Sequence, residues 1–251
     1  MLKPDRLFFA LGLIGLGVLS LVYGDFALQW QPVPAWVPGR TFLAYVSGVI
    51  LIATGAGLLS RRTSTLSTGV LLVYTVLWLL LLKLPSVVMA PLAEYNWLGF
   101  GEIAVIVAAA LVLFAKDRPQ SQSSTLNFAT GDNGVRIARY VFALALIPIG
   151  LSHFVYLPQT TDFVPAWLPF RKGWAYLTGA GHIAAGLAVL FGIVPRLAAM
   201  LEAAMIGIFT ALVWVPLVAK TPSQLNWTGF LISWTIGAAA WVVAAALPAR
   251  K

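Results

Sequence analysis

Eight long apolar runs leave few folds open to this chain. They approach or reach the roughly 17 to 25 residues that a helix needs to cross a bilayer core about 30 Å thick. With 60% hydrophobic and 10% charged residues, the chain has too much apolar surface for one water-soluble core. We therefore predict an all-α, polytopic integral membrane protein. Its eight transmembrane helices are expected near residues 7–23, 42–60, 66–84, 97–115, 136–156, 173–192, 196–218 and 227–247.

A five-residue motif occurs twice and divides these spans into two sets of four. Residues 34–38 read Pro-Ala-Trp-Val-Pro, and residues 165–169 read Pro-Ala-Trp-Leu-Pro, 131 positions later. Because four spans is an even number, both sets enter the membrane from the same side. We therefore predict two parallel four-helix repeats, at residues 1–115 and 135–251, joined by a polar cytoplasmic linker at 116–134.

The basic residues indicate an orientation. With the N-terminus inside, eleven of the sixteen Lys and Arg residues fall in cytoplasmic segments, so the positive-inside rule places both termini in the cytoplasm. Lys3 and Arg6 precede the first apolar run as they would in a signal peptide. No A-x-A-like cleavage site follows, and we expect that run to remain a span.

Both Pro-Ala-Trp-x-Pro stretches then lie on the extracytoplasmic side. Two prolines spaced four apart cannot continue a helix, so each stretch should be a bent loop at the interface. Trp36 and Trp167 are typical of an aromatic belt there. Alternatively, these tryptophans and Tyr176 line the mouth of a ligand site.

Several chemistries are disfavoured. The net charge of +8 forms no basic stripe with interleaved aromatics, so nucleic acid is not an expected partner. The absence of cysteine excludes disulfides and thiolate metal sites within the chain. The estimated depths of His153 and His182 differ by about 9 Å, which disfavours a bis-histidine haem. We expect no metal site and no intrinsic cofactor.

Few ionisable residues fall inside the spans, and each is a candidate because charge in hydrocarbon is costly. His182 lies about 13 Å deep at 1.5 Å per residue. Gly179 and Gly186 share its helical face, which predicts that it points into the bundle. Either His182 is a neutral residue bonded to Thr178 or to a backbone carbonyl, or it handles a ligand or a proton.

Three other ionisable residues are weaker candidates for a functional site. Glu102 lies near the extracytoplasmic end of its span, where it would be protonated, linked to water or paired, with Lys83 as the candidate partner. Glu202 is expected to pair with Arg196 toward the cytoplasmic side. His153, one turn from the end of its span, is typical of a satisfied interfacial residue and remains a candidate ligand-binding residue.

Part of the chain resembles the DoxX family of small bacterial membrane proteins. The resemblance rests on Gly-Leu-Ser-His-Phe at 150–154, on Phe-Val-Pro-Ala-Trp-Leu-Pro at 163–169, and on the residues from Tyr176 to Gly179 with the small-residue helix that follows. It covers most of the second half and, more weakly, the first. Family members are four-helix units, so the chain resembles two fused copies and is expected in the bacterial cytoplasmic (inner) membrane.

The family's polar pattern is divided between the two copies. Its second-helix Glu is replaced by Leu51 in one copy and by His182 in the other. Its acid early in the fourth helix is matched by Glu102 and replaced by Ile232. The resemblance therefore implies that a shared site would combine His182 with Glu102.

Three functions remain open. The family name derives from a thiosulfate:quinone oxidoreductase subunit, which implies a membrane subunit of a redox system that binds a quinone or other hydrophobic ligand, with a redox protein as partner. The scarcity of chemical groups favours instead a non-enzymatic scaffold that anchors a partner. Transport of a small solute between parallel repeats is the least favoured. Whether the protein is an enzyme is left open, and any site is expected beneath residues 165–169.

Overall fold

Eight long helices dominate the structure, a computed structural model that describes residues 3–118 and 127–249. Each is long and apolar enough to cross a membrane, and the described ranges contain no strand. The prediction of an all-α chain with eight candidate spans is confirmed. The helices are α1 Pro4–Tyr23, α2 Arg40–Leu58, α3 Ser64–Met89, α4 Glu94–Asp117, α5 Gly131–Val155, α6 Arg171–Phe191, α7 Pro195–Lys220 and α8 Gln224–Ala244.

The connection between α4 and α5 is shorter than the predicted linker at 116–134. Helix α4 continues through Asp117, and α5 begins at Gly131 after a 3-10 turn at Asn127–Ala129. Polar composition therefore placed the first boundary two residues too early and the second four residues too late. Residues 119–126 of the predicted linker lie outside the described ranges.

Helix packing follows the chain order and closes into a ring. Each helix contacts the next one, α8 returns to α1, and α4 and α8 contact each other across the ring. These two are the most buried helices, with 83% and 72% of their apolar windows inside the protein. Each carries three consecutive buried alanines, Ala108–Ala110 and Ala238–Ala240. Such small side chains allow helices to approach closely in lipid.

Glycines bring α1 against α2, and α5 against α6, until their backbones touch. A Cβ atom added to Gly48 would lie 2.8 Å from the carbonyl oxygen of Gly17. A Cβ atom added to Gly179, which is 131 positions after Gly48, would lie 2.9 Å from the carbonyl oxygen of Gly150. Close van der Waals packing of this kind is a main attraction between helices in a bilayer.

Helices α3 and α7 both contain a π turn. The turns lie at Leu79–Lys83 and Thr210–Trp214, again 131 positions apart, and Pro85 or Pro216 follows two residues later. Proline has no N–H for the regular helical bond and its ring crowds the preceding turn, so each helix widens locally before it.

The two Pro-Ala-Trp-x-Pro stretches are turns between helices, as predicted. The arginine that follows each of them, Arg40 or Arg171, donates from Nε to the carbonyl oxygen of the residue before the first proline, at 3.1 and 2.9 Å. Each arginine therefore ties the start of its loop to the start of the next helix.

The segments that lead into these turns differ. In the first, a 3-10 turn at Leu28–Trp30 enters the bundle, and Trp30 and Gln31 are 5% and 2% exposed. In the second, a short helix at Leu157–Phe163 has no fully buried residue. The first segment fills the space beneath its own turn, whereas the second covers the corresponding space beneath its turn from outside.

The glycine contacts predict opposite effects of one substitution at two sites. Gly48→Ala would force the new methyl group against backbone atoms and should lower stability by about 1 to 3 kcal/mol. Gly207→Ala in α7 meets no atom within 4 Å and should be neutral or stabilising by up to about 1 kcal/mol, because alanine favours helix. Thermal unfolding of the purified variants in one detergent measures both, and equal effects at the two sites would contradict the packing described.

Candidate functional site

A cleft of about 410 Å³ lies among α4 to α8, and Gln29 and Trp30 from the segment before the first proline stretch also line it. Apolar and aromatic side chains form most of its wall, including Phe163, Met205, Phe209 and Trp214. Polar groups reach it at a few places. They belong to Gln29, Glu102, Ser152, His153, Thr160, Thr178, His182, Asn226 and Ser233.

The central polar contact of the cleft joins α6 to α7. His182 Nδ1 lies 2.6 Å from Glu202 Oε1, and the two side chains are 9% and 0% exposed. The second carboxylate oxygen of Glu202 is buried and has no partner among the described residues. A buried acid–histidine pair of this kind shares a proton and leaves the other ring nitrogen, Nε2, free for a ligand.

The sequence-based partner for Glu202 was wrong. Arg196 lies in the first turn of α7, six residues before Glu202, and the carboxylate pairs with His182 instead. Because Glu202 lies inside the bundle, it can contact a residue on the neighbouring helix. Spacing along its own helix does not reveal such a contact. His182 does face the bundle, as its small-residue face predicted, whereas the Thr178 hydroxyl bonds to the carbonyl oxygens of its own helix.

His153 lies at the level of His182, and the two ring centroids are 5.1 Å apart. The predicted depth difference of about 9 Å was therefore wrong. Helix α5 ends two residues after His153, whereas α6 begins eleven residues before His182, so their ends lie at different heights. His153 Nδ1 lies 2.9 Å from the carbonyl oxygen of Ile149. Because that oxygen can only accept, Nδ1 donates and Nε2 is left as an acceptor.

Glu102 reaches the same cleft from α4. Its carboxylate accepts a hydrogen bond from the Trp30 indole at 2.9 Å. The expected ion pair with Lys83 is not formed, because the Lys83 ammonium donates to the main-chain oxygen of Gln29 at 2.8 Å. Lys83 remains a nearby charge that lies over Gly99, one turn above Glu102.

Three other predicted ligand-binding residues lie away from the cleft. Trp36 and Trp167 are 80% and 70% exposed, and Tyr176 is 45% exposed. None of them lines the cleft. In a membrane these side chains face lipid or the interface, as an aromatic belt does.

The equivalent space in the first half is filled. Gln31 donates from Nε2 to the Tyr74 hydroxyl at 2.7 Å, and that hydroxyl lies 2.6 Å from Ser47 Oγ. At the positions 131 residues later the chain has Asp162, Met205 and Thr178. Asp162 points outward with 84% of its side chain exposed, so nothing plugs the second space.

Residue spacing could have revealed the His182–Glu202 pair. Leu51 and Leu71 stand 131 positions before His182 and Glu202, and both leucines are 0% exposed. Two apolar residues of one half are therefore replaced together by an acid and a base in the other. A joint replacement of this kind is the signal that the sequence offered for the pair.

No group of three His, Cys, Asp or Glu side chains that could hold a metal ion occurs within residues 3–118 and 127–249. The arrangement is suited instead to hydrogen bonding and proton exchange with a ligand in an apolar cleft.

These features define a helical, multi-pass class of protein with a largely apolar cleft that a few polar groups line. A family model described as a domain of unknown function (DUF8561) matches residues 142–247, which include both members of the His182–Glu202 pair. No curated protein and no solved structure matches the chain.

The buried pair predicts non-additive effects on stability. His182→Leu leaves an unpaired carboxyl group, and Glu202→Leu leaves an unpaired imidazole, so each should cost about 3 to 5 kcal/mol. The double variant reproduces the Leu51 and Leu71 arrangement and should recover most of that loss. Thermal unfolding of the four proteins in detergent gives the coupling, and additive losses would contradict the pairing.

Proposed function

We propose that the protein binds a quinone or a similar hydrophobic ligand in the cleft, as a membrane subunit of a redox system. One observation carries this proposal: an otherwise apolar cleft is lined by His182, which is paired with the buried Glu202 behind it, and by Glu102. Its volume of about 410 Å³ lies within the roughly 300 to 1,000 Å³ typical of small-molecule sites.

A quinone ring matches the chemistry of this lining. Its flat apolar face suits the wall of Phe209 and Trp214, and its oxygens need hydrogen-bonding partners that few apolar clefts provide. His182 Nε2 accepts from a quinol hydroxyl when the ring is neutral, and donates to a quinone oxygen when the ring is protonated.

The proton balance assigns a role to each acid. A quinol that is oxidised loses two electrons and two protons. His182 accepts one proton while Glu202 stabilises the resulting imidazolium, and Glu102 accepts the other when its carboxyl group is deprotonated. The two electrons pass to a redox partner protein. A scaffold would gain nothing from a buried acid–histidine pair, so the cleft favours ligand binding over anchoring alone.

We further propose that the chain consists of two parallel four-helix repeats, as the DoxX resemblance implies. The offset of 131 positions supports this, because it relates the glycine contacts at Gly48 and Gly179, the two π turns, and the arginines at Arg40 and Arg171. In the same proposal the protein lies in the bacterial cytoplasmic membrane, with both termini in the cytoplasm.

Ligand binding is tested with a short-chain quinone and the purified protein. Binding to the native chain should be detectable by quenching of tryptophan fluorescence. Glu102→Gln and the double variant His182→Leu with Glu202→Leu should weaken it by at least about tenfold, because each removes hydrogen bonds worth about 1.5 to 3 kcal/mol when charged groups take part.

Trp36→Ala and Trp167→Ala provide the control, because both residues are exposed and lie outside the cleft. They should change quinone affinity less than about twofold. A folded native protein that retains no quinone on purification and shows no affinity for one would refute the proposed function.

The orientation is tested with single cysteines, since the chain has none of its own. Arg62 lies between α2 and α3, and Leu92 lies between α3 and α4 and is 98% exposed. The two variants are Arg62→Cys and Leu92→Cys. A membrane-impermeant maleimide added to intact spheroplasts should label the cysteine at 92 and leave the one at 62 unlabelled until the cells are lysed. The reverse pattern would place the termini outside.

A further inference from the structure

We infer that a basic pocket at the end of the bundle opposite the proline stretches binds the phosphate-bearing head group of an anionic phospholipid. The pocket has a volume of about 390 Å³ and lies between the start of α1, the end of α2 and the end of α4. It is lined by Lys3, Arg6, Leu58, Leu59, Ser60, Arg61, Lys116 and Asp117.

The only acid in the lining is already neutralised. Asp117 accepts two hydrogen bonds from Arg6, at 2.7 and 3.3 Å, and a third from Ser64. These bonds join α1, α3 and α4 and fix the floor of the pocket. Arg6 and Asp117 are therefore a structural pair, and the free positive charge comes from the other basic residues.

Three cations around the pocket lack an acidic partner. Within the described ranges, no carboxylate lies within 4.0 Å of Lys3, Arg61 or Lys116. The sequence from 119 to 126 contains no Asp or Glu and cannot supply a counter-charge. Lys116 donates to the main-chain oxygen of Ala245 at 3.2 Å, which leaves its charge uncompensated, and three such cations that line one pocket favour a bound anion.

The wall of the pocket indicates which anion. Leu58 and Leu59 line it beside the cations, so a ligand that carries both an anionic group and hydrocarbon fits better than a bare ion. A basic pocket between membrane helices is a recognised site for lipid head groups. A phospholipid has both parts, an anionic phosphodiester and hydrocarbon chains. Because the helices that form the pocket span the lipid, the phosphodiester can bind the cations while the acyl chains stay in the bilayer.

The test compares two variants of equal charge. Lys3→Ser with Arg61→Ser removes two exposed pocket cations that make no side-chain hydrogen bond within the described ranges, so the fold should persist. Arg62→Ser with Arg136→Ser removes two exposed cations at the same end that do not line the pocket. Binding of phosphatidylglycerol and of phosphatidylcholine to the full chain in detergent is measured by native mass spectrometry, with the thermal midpoint as a check of folding.

We expect the native chain to prefer phosphatidylglycerol. The pocket variant should lose about 25-fold in affinity, at about fivefold for each basic residue, and the control variant less than about threefold. Equal losses in the two variants, or equal binding of the two lipids by the native chain, would overturn the proposal. Displacement of the lipid by millimolar glycerol 3-phosphate would also overturn it, by assigning the site to soluble phosphate esters. Because this pocket lies apart from the cleft, neither result depends on quinone binding.

Discussion

A hydrocarbon layer offers no water to a buried polar group, so each such group depends on a partner within the protein. This constraint explains the two buried polar clusters of the bundle. In the first half, Gln31 reaches into the helices and satisfies the Tyr74 hydroxyl. In the second half, Glu202 is satisfied on one oxygen by His182 and on the other by nothing among the described residues. The first cluster is closed, whereas the second leaves one buried oxygen for an ordered water molecule or a carboxyl proton.

The difference between the halves lies in what fills a common framework. The glycine contacts, the π turns and the loop arginines occupy matching positions, so the helices that surround the two spaces have similar shapes. One space receives Trp30 and Gln31, and its Leu51 and Leu71 belong to the buried core. The other space has no such insertion, and His182 with Glu202 replaces the leucines. Leucines at these two positions pack without any polar partner, so the shape of the surrounding helices does not depend on the acid–histidine pair.

Sequence reasoning reached the fold more readily than the site, for physical reasons. Apolar runs of spanning length report directly on the environment of each helix, and the eight candidate spans followed from them. A small-residue face also placed His182 inside the bundle. The partners of ionisable residues were missed, because Lys83 was paired with Glu102 by its level in the neighbouring span and Arg196 with Glu202 by proximity in the chain. In a bundle, the neighbours of a buried residue come from the adjacent helix. Which residues of two adjacent helices lie at the same depth depends on where each helix begins and ends.

The unequal ends of α5 and α6 are what create the cleft. From His153 only two residues of α5 remain, or about 3 Å, whereas about 16 Å of α6 stands above His182. The short helix Leu157–Phe163 crosses the resulting gap, and Phe163 covers it by packing against Phe209 and Trp214, with centroid distances of 6.4 and 5.7 Å. Arg171 holds the end of this cover through the carbonyl oxygens of Thr161 and Val164. The cover therefore rests on aromatic contacts on one side and on two hydrogen bonds on the other, and none of these contacts belongs to the packing between the eight long helices.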